Sequence, residues 1–110
     1  MRVVIKEPGK PPHITEIGER LEELQAVVGG YIEVVTSMPL FDVVVYGNEE
    51  ARIMSPPLPY NFTKIDGTTI LGTVVAVQGN DEGEEVSMSE ETAMHVAMVL
   101  GAFTDRLGAS

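Results

Sequence analysis

The sequence predicts a single α+β domain, in which two helices pack on a mixed or mainly antiparallel sheet of about five strands. Three observations support this prediction. Short apolar segments bounded by proline, glycine or asparagine are typical of strands, and two segments have a helical period. No internal repeat or low-complexity tract divides the 110 residues. We therefore expect one domain over 1–110, with an ordered core at 1–106 and a tail at 107–110.

The amino-terminal segment predicts a β-hairpin. Residues 1–7 alternate weakly between apolar and charged side chains, and a proline-glycine pair ends this strand. Lys10-Pro11-Pro12 is a stiff turn, because proline fixes φ and restricts the residue before it. Residues 13–17 then suit a second strand that pairs with the first.

The next segment, 18–28, changes to a helical period. Leu21, Leu24 and Val28 share one side of a helix, and glutamates occupy the other side. Gly29 is suited to the left-handed conformation that ends many helices. The segment therefore predicts an amphipathic helix that ends at two glycines.

The middle of the chain predicts further strands. Residues 31–36 and 41–46 are rich in β-branched side chains, and 53–54 suggest a brief strand before a proline-rich surface loop at 55–59. The clearest strand is 68–78, with a kink or bulge at Gly72, and we expect it in the middle of the sheet.

A second helix is predicted to run to about Arg106. Ser87-Met88-Ser89-Glu90 has the form of a capping box at its start. Met94 and Met98 add apolar surface beside the core stripe, which indicates a deeply buried helix or a homodimer contact. The predicted core stripe consists of Ala93, Val96, Ala97, Leu100, Phe103 and Leu107.

Charge is the strongest compositional bias. Asp and Glu number 17 against 7 Lys and Arg, which gives a formal net charge of −10. Direct nucleic-acid binding is disfavoured, because phosphate neutralisation needs a basic surface. The acidity indicates either an ordinary solvated surface or an acidic face for a basic partner. The loop after 68–78 concentrates the candidate residues of such a partner surface: Asp81, Glu82, Glu84 and Glu85.

The cellular location and the possible catalytic or metal-binding chemistry of the protein are limited mainly by motifs that the sequence lacks. The sequence contains no cysteine, and its apolar runs are too short for a signal-peptide core or a membrane span, so we expect a cytoplasmic protein without a membrane partner. Gly9-Lys10 lacks the remainder of a phosphate loop. Glu91 and His95 share a helix face but supply only two potential metal ligands. We expect no metal, cofactor or catalytic residue.

The remaining site candidates are polar residues that interrupt apolar strands or follow them. Such residues form either ordinary turns and exposed strand faces, or a shallow pocket where strand-end loops converge. The candidate binding residues are Tyr31, Glu33, Asn48, Glu49, Glu50, Tyr60 and Asn61.

An ordered set of motifs resembles a small domain-of-unknown-function family met in bacteria, phages and other mobile elements. The motifs are residues 1–7 with Pro8-Gly9-Lys10, Leu24-Gln25 leading into Val28-Gly29-Gly30-Tyr31-Ile32-Glu33, Asn48-Glu49-Glu50 after an apolar strand, Pro56-Pro57 followed by Asn61, and Gly72-Thr73 opening an apolar strand. The resemblance covers nearly the whole chain. It implies a compact α/β domain and no established activity.

These observations favour a non-enzymatic accessory protein of a phage or mobile element, which binds a host protein through an acidic face. A small-ligand or nucleotide-binding domain that uses Tyr31, Asn48 and the proline loop is the first alternative. An enzyme of unrecognised type is the second.

Overall fold

The computed structural model describes residues 1–108, with side chains described through Ala102. The chain begins with a hairpin, continues through one short helix and six further strands, and ends with a long helix. The elements are β1 (Arg2–Lys6), β2 (His13–Glu16), α1 (Leu21–Val28), β3 (Ile32–Met38), β4 (Val43–Asn48), β5 (Tyr60–Thr63), β6 (Thr69–Leu71), β7 (Val74–Gly79), β8 (Glu85–Val86) and α2 (Glu90–Gly108).

The main sheet has six strands, in the order β2-β1-β7-β4-β3, with β8 paired to the end of β7. All of its pairs are antiparallel. A separate antiparallel hairpin is formed by β5 and β6. This arrangement confirms the predicted α+β class, the amino-terminal hairpin and the central position of the strand that follows Gly72.

The sheet lies between two layers because β7 is apolar on both of its faces. Val75 and Val77 pack with α1, whereas Val74 and Ala76 pack on the side of α2. Successive side chains of a strand point to opposite faces, so an uninterrupted apolar run is what a strand covered on both sides requires. Helix α1 forms one outer layer, and α2 with the β5–β6 hairpin forms the other.

The strand predicted at 68–78 is two strands in two different sheets. Gly72 separates them with a φ of 79°, and its amide donates to the Pro59 carbonyl at 2.7 Å. A Cβ at this position would lie 2.8 Å from the Leu58 side chain. The predicted irregularity at Gly72 is therefore correct, but the chain leaves the small hairpin there and enters the main sheet.

Other predicted boundaries are wrong for local reasons. Residues 53–54 lie in turns, and the unpredicted strand of this region is β5. The fourth strand begins only at Val43, because Pro39–Phe41 forms a 3-10 turn that ends at Asp42 with a φ of 55°. Helix α1 begins at Leu21, which is 54% exposed and does not belong to the buried stripe.

The predicted capping box at the start of α2 is also wrong in register. Ser89 is the cap, since its Oγ accepts from the Thr92 amide at 3.1 Å. Ser87 instead accepts from the Arg2 amide at 2.8 Å, which fastens the chain to β1. Helix α2 extends past the predicted end at Arg106 to Gly108.

The predicted core stripe of α2 is confirmed where its side chains are described. Ala93, Val96 and Leu100 are fully buried, and Ala97 packs against the same cluster. The side chains of Phe103 and Leu107, and residues 109–110 of the predicted tail, lie outside the described part of the chain. Within the described residues, neither helix combines the length and apolar character that a membrane span requires.

Candidate functional site

Asn48 joins three elements at the end of β4. Its Nδ2 donates to the Val28 carbonyl at 3.2 Å, which satisfies an acceptor at the carboxyl end of α1. Its Oδ1 accepts from the Glu50 amide at 2.7 Å and so shapes the following turn. The adjacent Glu49 amide donates to the Tyr31 carbonyl at 2.9 Å. Asn48 is only 5% exposed, so its amide group is a positioning element for the residues around it.

The contacts around Asn48 explain why two glycines connect α1 to β3. Gly29 ends α1 in the left-handed conformation, with a φ of 81°, as the sequence predicted. Gly30 lies against Asn48, and a Cβ on Gly30 would approach the Asn48 Nδ2 to 2.9 Å. The first glycine therefore serves the backbone conformation, and the second permits the close approach of the asparagine side chain.

Two open cavities flank Asn48 and bring together five of the seven predicted binding residues. The smaller cavity, of about 280 Å³, is lined by Tyr31 and Glu50 and lies beside the end of α1. The larger groove, of about 410 Å³, runs between β3 and β6 and is lined by Glu33 and Glu49. Tyr31 is 65% exposed, so its ring is available to a bound molecule.

Two cations near the larger groove bind main-chain carbonyls, and one of them, Arg52, lines the groove. Arg52 donates to the Thr69 carbonyl on β6. Lys64 donates to the Val35 carbonyl at 3.1 Å, where β3 has a bulge, and lies 3.9 Å from Asp66. Because Arg52 already binds a main-chain carbonyl, the other charged groups in the lining of the groove are the carboxylates of Glu33 and Glu49.

Tyr60 and Asn61 do not join the other predicted residues, since they line neither cavity beside Asn48. The Tyr60 hydroxyl lies 2.8 Å from the Thr63 hydroxyl on the same strand. Asn61 is 4% exposed, and its Nδ2 donates to the carbonyls of Lys6 and Gly72 at 2.9 and 2.8 Å. Asn61 therefore ties β5 to the main sheet.

The partner of Asn61 is a buried lysine that sequence reasoning missed. Lys6 is fully buried, and its Nζ donates to Asn61 Oδ1 and to the Glu7 carbonyl, both at 2.7 Å. Burial lowers the pKa of Lys6, and the nearby Glu7 carboxylate opposes this effect. The only sequence signal was the alternation of β1, which puts Lys6 on the same face as the buried Val4.

The predicted acidic surface is an ordered loop between β7 and β8. Asn80 organises it, because its Oδ1 accepts from the amides of Glu82 and Glu84, both at 2.9 Å. Gly83 turns the chain with a φ of 78°. We call the exposed carboxylates of this loop and of the first residue of β8 the acidic loop: Asp81, Glu82, Glu84 and Glu85.

None of the acidic-loop carboxylates forms an ion pair within the described residues, where the salt bridges are Lys10–Glu7 and Lys64–Asp66. Among the described residues, no cation therefore neutralises their charge by direct pairing. The four carboxylates lie close together along the chain, on an ordered turn and the first residue of the strand that follows it.

Comparison with known proteins identifies the family. Residues 1–101 match the domain of unknown function DUF3846. The chain belongs to the DUF3846 family. No curated protein and no solved structure matches it. The match runs from β1 into α2 and confirms the resemblance to an uncharacterised domain family.

One further residue of this DUF3846 domain adjoins the acidic loop and was not predicted. Burial, together with a hydrogen bond to the Glu85 carboxylate and the charge of that group, raises the pKa of Tyr46 to about 12. Tyr46 sits on β4 and lines a third cavity, of about 380 Å³, with Asp42 and Glu85. An apolar strand that happens to contain one tyrosine gave no sequence signal for this contact.

His95, one of the two possible metal ligands on α2, stacks on an aromatic ring. His95 stacks on Phe41, with ring centroids 5.6 Å apart and an interplanar angle of 15°. No group of three potential metal ligands occurs among the described residues. His95 therefore has a packing partner in the 3-10 turn that precedes β4.

Proposed function

We propose that this DUF3846 domain is a non-enzymatic accessory protein of a phage or mobile element, which binds a basic host protein through the acidic loop. The proposal places the protein in the host cytoplasm and assigns it neither a membrane nor a nucleic acid as a direct partner. The partner is defined by its chemistry, a surface rich in lysine and arginine.

The observation that carries the proposal is the state of the loop carboxylates. They are exposed, held on a hydrogen-bonded turn and free of ion pairs in the described part of the chain. The formal net charge of −10 adds a long-range field of the same sign. Such a field accelerates the encounter with a basic partner and weakens as salt increases.

The test replaces the acidic loop with neutral isosteres, Asp81→Asn, Glu82→Gln, Glu84→Gln and Glu85→Gln. A matched control removes four exposed carboxylates from another surface, by Glu16→Gln, Glu19→Gln, Glu22→Gln and Glu23→Gln. Both variants change the net charge equally, so a difference between them reports the position of the charge rather than its amount.

Immobilised wild type and both variants are incubated with host lysate at low and moderate salt. We expect wild type and the control variant to capture a basic protein at low salt, and the loop variant to lose it. Purified partner then gives association rates, which we expect to fall with salt less steeply for the loop variant. Identical captured proteins for wild type and the loop variant at both salts would contradict the proposal.

A second candidate function is small-ligand or nucleotide binding, and the two cavities around Asn48 favour it. An aromatic ring at Tyr31 and buried polar positioning by Asn48 are features of ligand sites. The carboxylates around the larger groove favour a cationic or neutral ligand over a phosphate. A thermal shift on adding a nucleotide or cationic metabolite, unchanged by moderate salt and abolished by Tyr31→Ala, would support this candidate.

An enzyme of unrecognised type remains the third hypothesis. No observation among the described residues favours a particular reaction.

A further inference from the structure

The two faces of the main sheet are covered unequally. One face carries α2, which has 19 residues, and the β5–β6 hairpin. The other face carries α1, whose eight residues span about 12 Å at 1.5 Å per residue. Five neighbouring strands extend over about 19 Å at about 4.8 Å per strand, and one helix is about 10 Å wide. Helix α1 is therefore too small to cover the whole sheet face on which it packs, and the described residues leave part of that face open.

The uncovered part lies on β3 and β4. The register pairs Val34 with Tyr46, and Ser37 with Val44. Residues two apart on β4 share a face, and the bulge after Val34 returns Ser37 to that face. Val34 is 60% exposed, and Val44 and Tyr46 are half-buried. We call this surface the open sheet face: Val34, Ser37, Val44 and Tyr46.

Carboxylates border the open sheet face. The cavity of about 380 Å³ lies over Val44 and Tyr46, and Asp42 and Glu85 are part of its lining. Glu85 and Tyr46 line the same cavity, which brings the aromatic part of the face next to the acidic loop. An apolar strip beside carboxylates complements a partner with an apolar stripe and adjacent cations.

A buried polar atom near the open sheet face, Gln78 Oε1, belongs to a side chain on the α2 side of the main sheet. Gln78 Oε1 is buried without a hydrogen-bond partner among the described residues. Gln78 pairs with Val43, whose side chain lies in the α2-side core, so the pleat directs the glutamine side chain away from the open sheet face. Gln78 also lines the cavity of about 380 Å³, but its side chain lies outside the open sheet face, which is apolar with a carboxylate border.

We propose that the open sheet face binds an amphipathic basic helix of a partner protein, which lies beside α1 in the same layer. Its apolar stripe packs on Val34, Val44 and Tyr46, and its lysines or arginines face Asp42 and the acidic loop. The proposal rests on the proposed function and defines the partner element that the acidic surface recognises. An extended strand on the edge of β3 fits less well, because Lys64 already occupies the Val35 carbonyl there.

The experiment uses three synthetic peptides and the full chain labelled with ¹⁵N. The first peptide forms a helix with a leucine stripe flanked by lysines, the second has the same composition in scrambled order, and the third has glutamates in place of lysines. We expect the first peptide alone to shift the amide resonances of Val34, Val44 and Tyr46 and those of the acidic loop. Scrambling retains the charge and removes the apolar stripe, so it separates the two contributions.

Two charge-matched variants locate the site. Val34→Lys puts a cation on an exposed position of the open sheet face, and Met98→Lys makes the same charge change on α2, where Met98 is 69% exposed. We expect Val34→Lys to weaken binding of the first peptide at least about tenfold, the scale of an important interface residue, and Met98→Lys to leave it nearly unchanged. Retained chemical-shift dispersion verifies that each variant folds.

Three outcomes would overturn the inference: equal binding of the ordered and scrambled peptides, shifts centred on α2 or the β5–β6 hairpin, or undiminished binding to Val34→Lys. Self-association that Val34→Lys abolishes would also overturn it, because the occupant would then be a second copy.

Failure of the proposed function is a separate result. The inference alone fails if the loop variant loses its captured protein while the peptide does not bind this face.

Discussion

The two glycines at the end of α1 are required for different reasons. Gly29 is required by the local backbone conformation, and Gly30 by a contact with a residue distant in sequence. Gly29 needs no neighbour to explain it, because no atom lies within 4 Å of a Cβ built there and its φ is 81°. Gly30 is explained only by Asn48, which arrives from the end of β4. The sequence alone therefore explains Gly29, whereas Gly30 is explained only by the tertiary structure.

Gly29→Val should lower the free energy of unfolding by at least about 1 kcal/mol, since a β-branched residue is poorly suited to the left-handed conformation. Gly29→Asn is the control, because asparagine tolerates that conformation better and should cost less. Urea denaturation of the three proteins measures the difference. A valine variant as stable as the asparagine variant would contradict the conformational explanation.

The buried contact between Lys6 and Asn61 gives a second residue-scale prediction. Asn61→Leu leaves the Lys6 ammonium with one acceptor fewer and two carbonyls without their donor, so we expect a loss of about 2–4 kcal/mol. The double variant Lys6→Met, Asn61→Leu should recover part of that loss, because the unpaired charge is gone. Chemical denaturation of both single variants and the double variant gives the coupling energy, and strict additivity would show that the contact contributes nothing.

The lowered pKa of Lys6 also predicts a pH dependence. As pH rises through its folded-state pKa, Lys6 loses its proton in the folded protein but keeps it in the unfolded chain, up to the ordinary lysine value of about 10.4. The unfolded state then binds more protons, so stability increases with pH. Relative to Lys6→Met, wild type should become more stable as pH rises toward the ordinary lysine value of about 10.4; a flat difference would contradict a lowered pKa of Lys6.

Elements were predictable where local pattern and burial agree. The alternation of β1, the turn to β2 and the stripe of α2 are local features that survive in the fold. The boundary between β6 and β7 is different, because an apolar run of Thr and Val does not say that its two halves belong to separate sheets. The cap of α2 is Ser89 rather than Ser87, because the Ser87 hydroxyl accepts a hydrogen bond from the Arg2 amide of β1.

Helix α2 carries the prediction of a homodimer. Met94 and Met98 are 59% and 69% exposed beside the buried stripe, so a second copy would cover apolar surface. We expect light scattering at micromolar concentration to give twice the 11.9 kDa mass of one chain. Met94→Glu with Met98→Glu should produce the monomer, whereas Met54→Glu, on an exposed bend outside α2, should not. A monomer mass for wild type over a wide concentration range would remove the dimer.

The whole molecule is dominated by uncompensated negative charge. Its formal net charge is −10, and the described residues contain two salt bridges, both at exposed or partly exposed sites. Exposed pairs of this kind contribute little to stability. Self-repulsion among the carboxylates therefore opposes folding at low ionic strength.

Salt should consequently stabilise the protein. Between about 0.01 M and 0.15 M salt the Debye length falls from about 30 Å to about 8 Å, so repulsion across the molecule is screened. We expect the thermal midpoint to rise over this range, and to rise less for the acidic-loop amide variant. Differential scanning calorimetry measures both proteins, and a midpoint that falls on adding salt would show that attractive pairs dominate instead.

The sequence by itself determined the local properties of this protein: the α+β class, most strands, both helices, the left-handed glycine and the exposed acidic loop. Periodicity and turn chemistry act between near neighbours, so they can be read without the fold. It also put Tyr31, Glu33, Asn48, Glu49 and Glu50 among the candidates that lie around two adjoining cavities.

Only the tertiary structure decided which distant groups meet. Lys6 and Asn61 are 55 residues apart, and Asn48 reaches the end of a helix 20 residues earlier. The open sheet face likewise depends on how short α1 is relative to the sheet beneath it. These features arise from long-range strand pairing and layer packing, which place side chains in contact irrespective of their spacing along the chain.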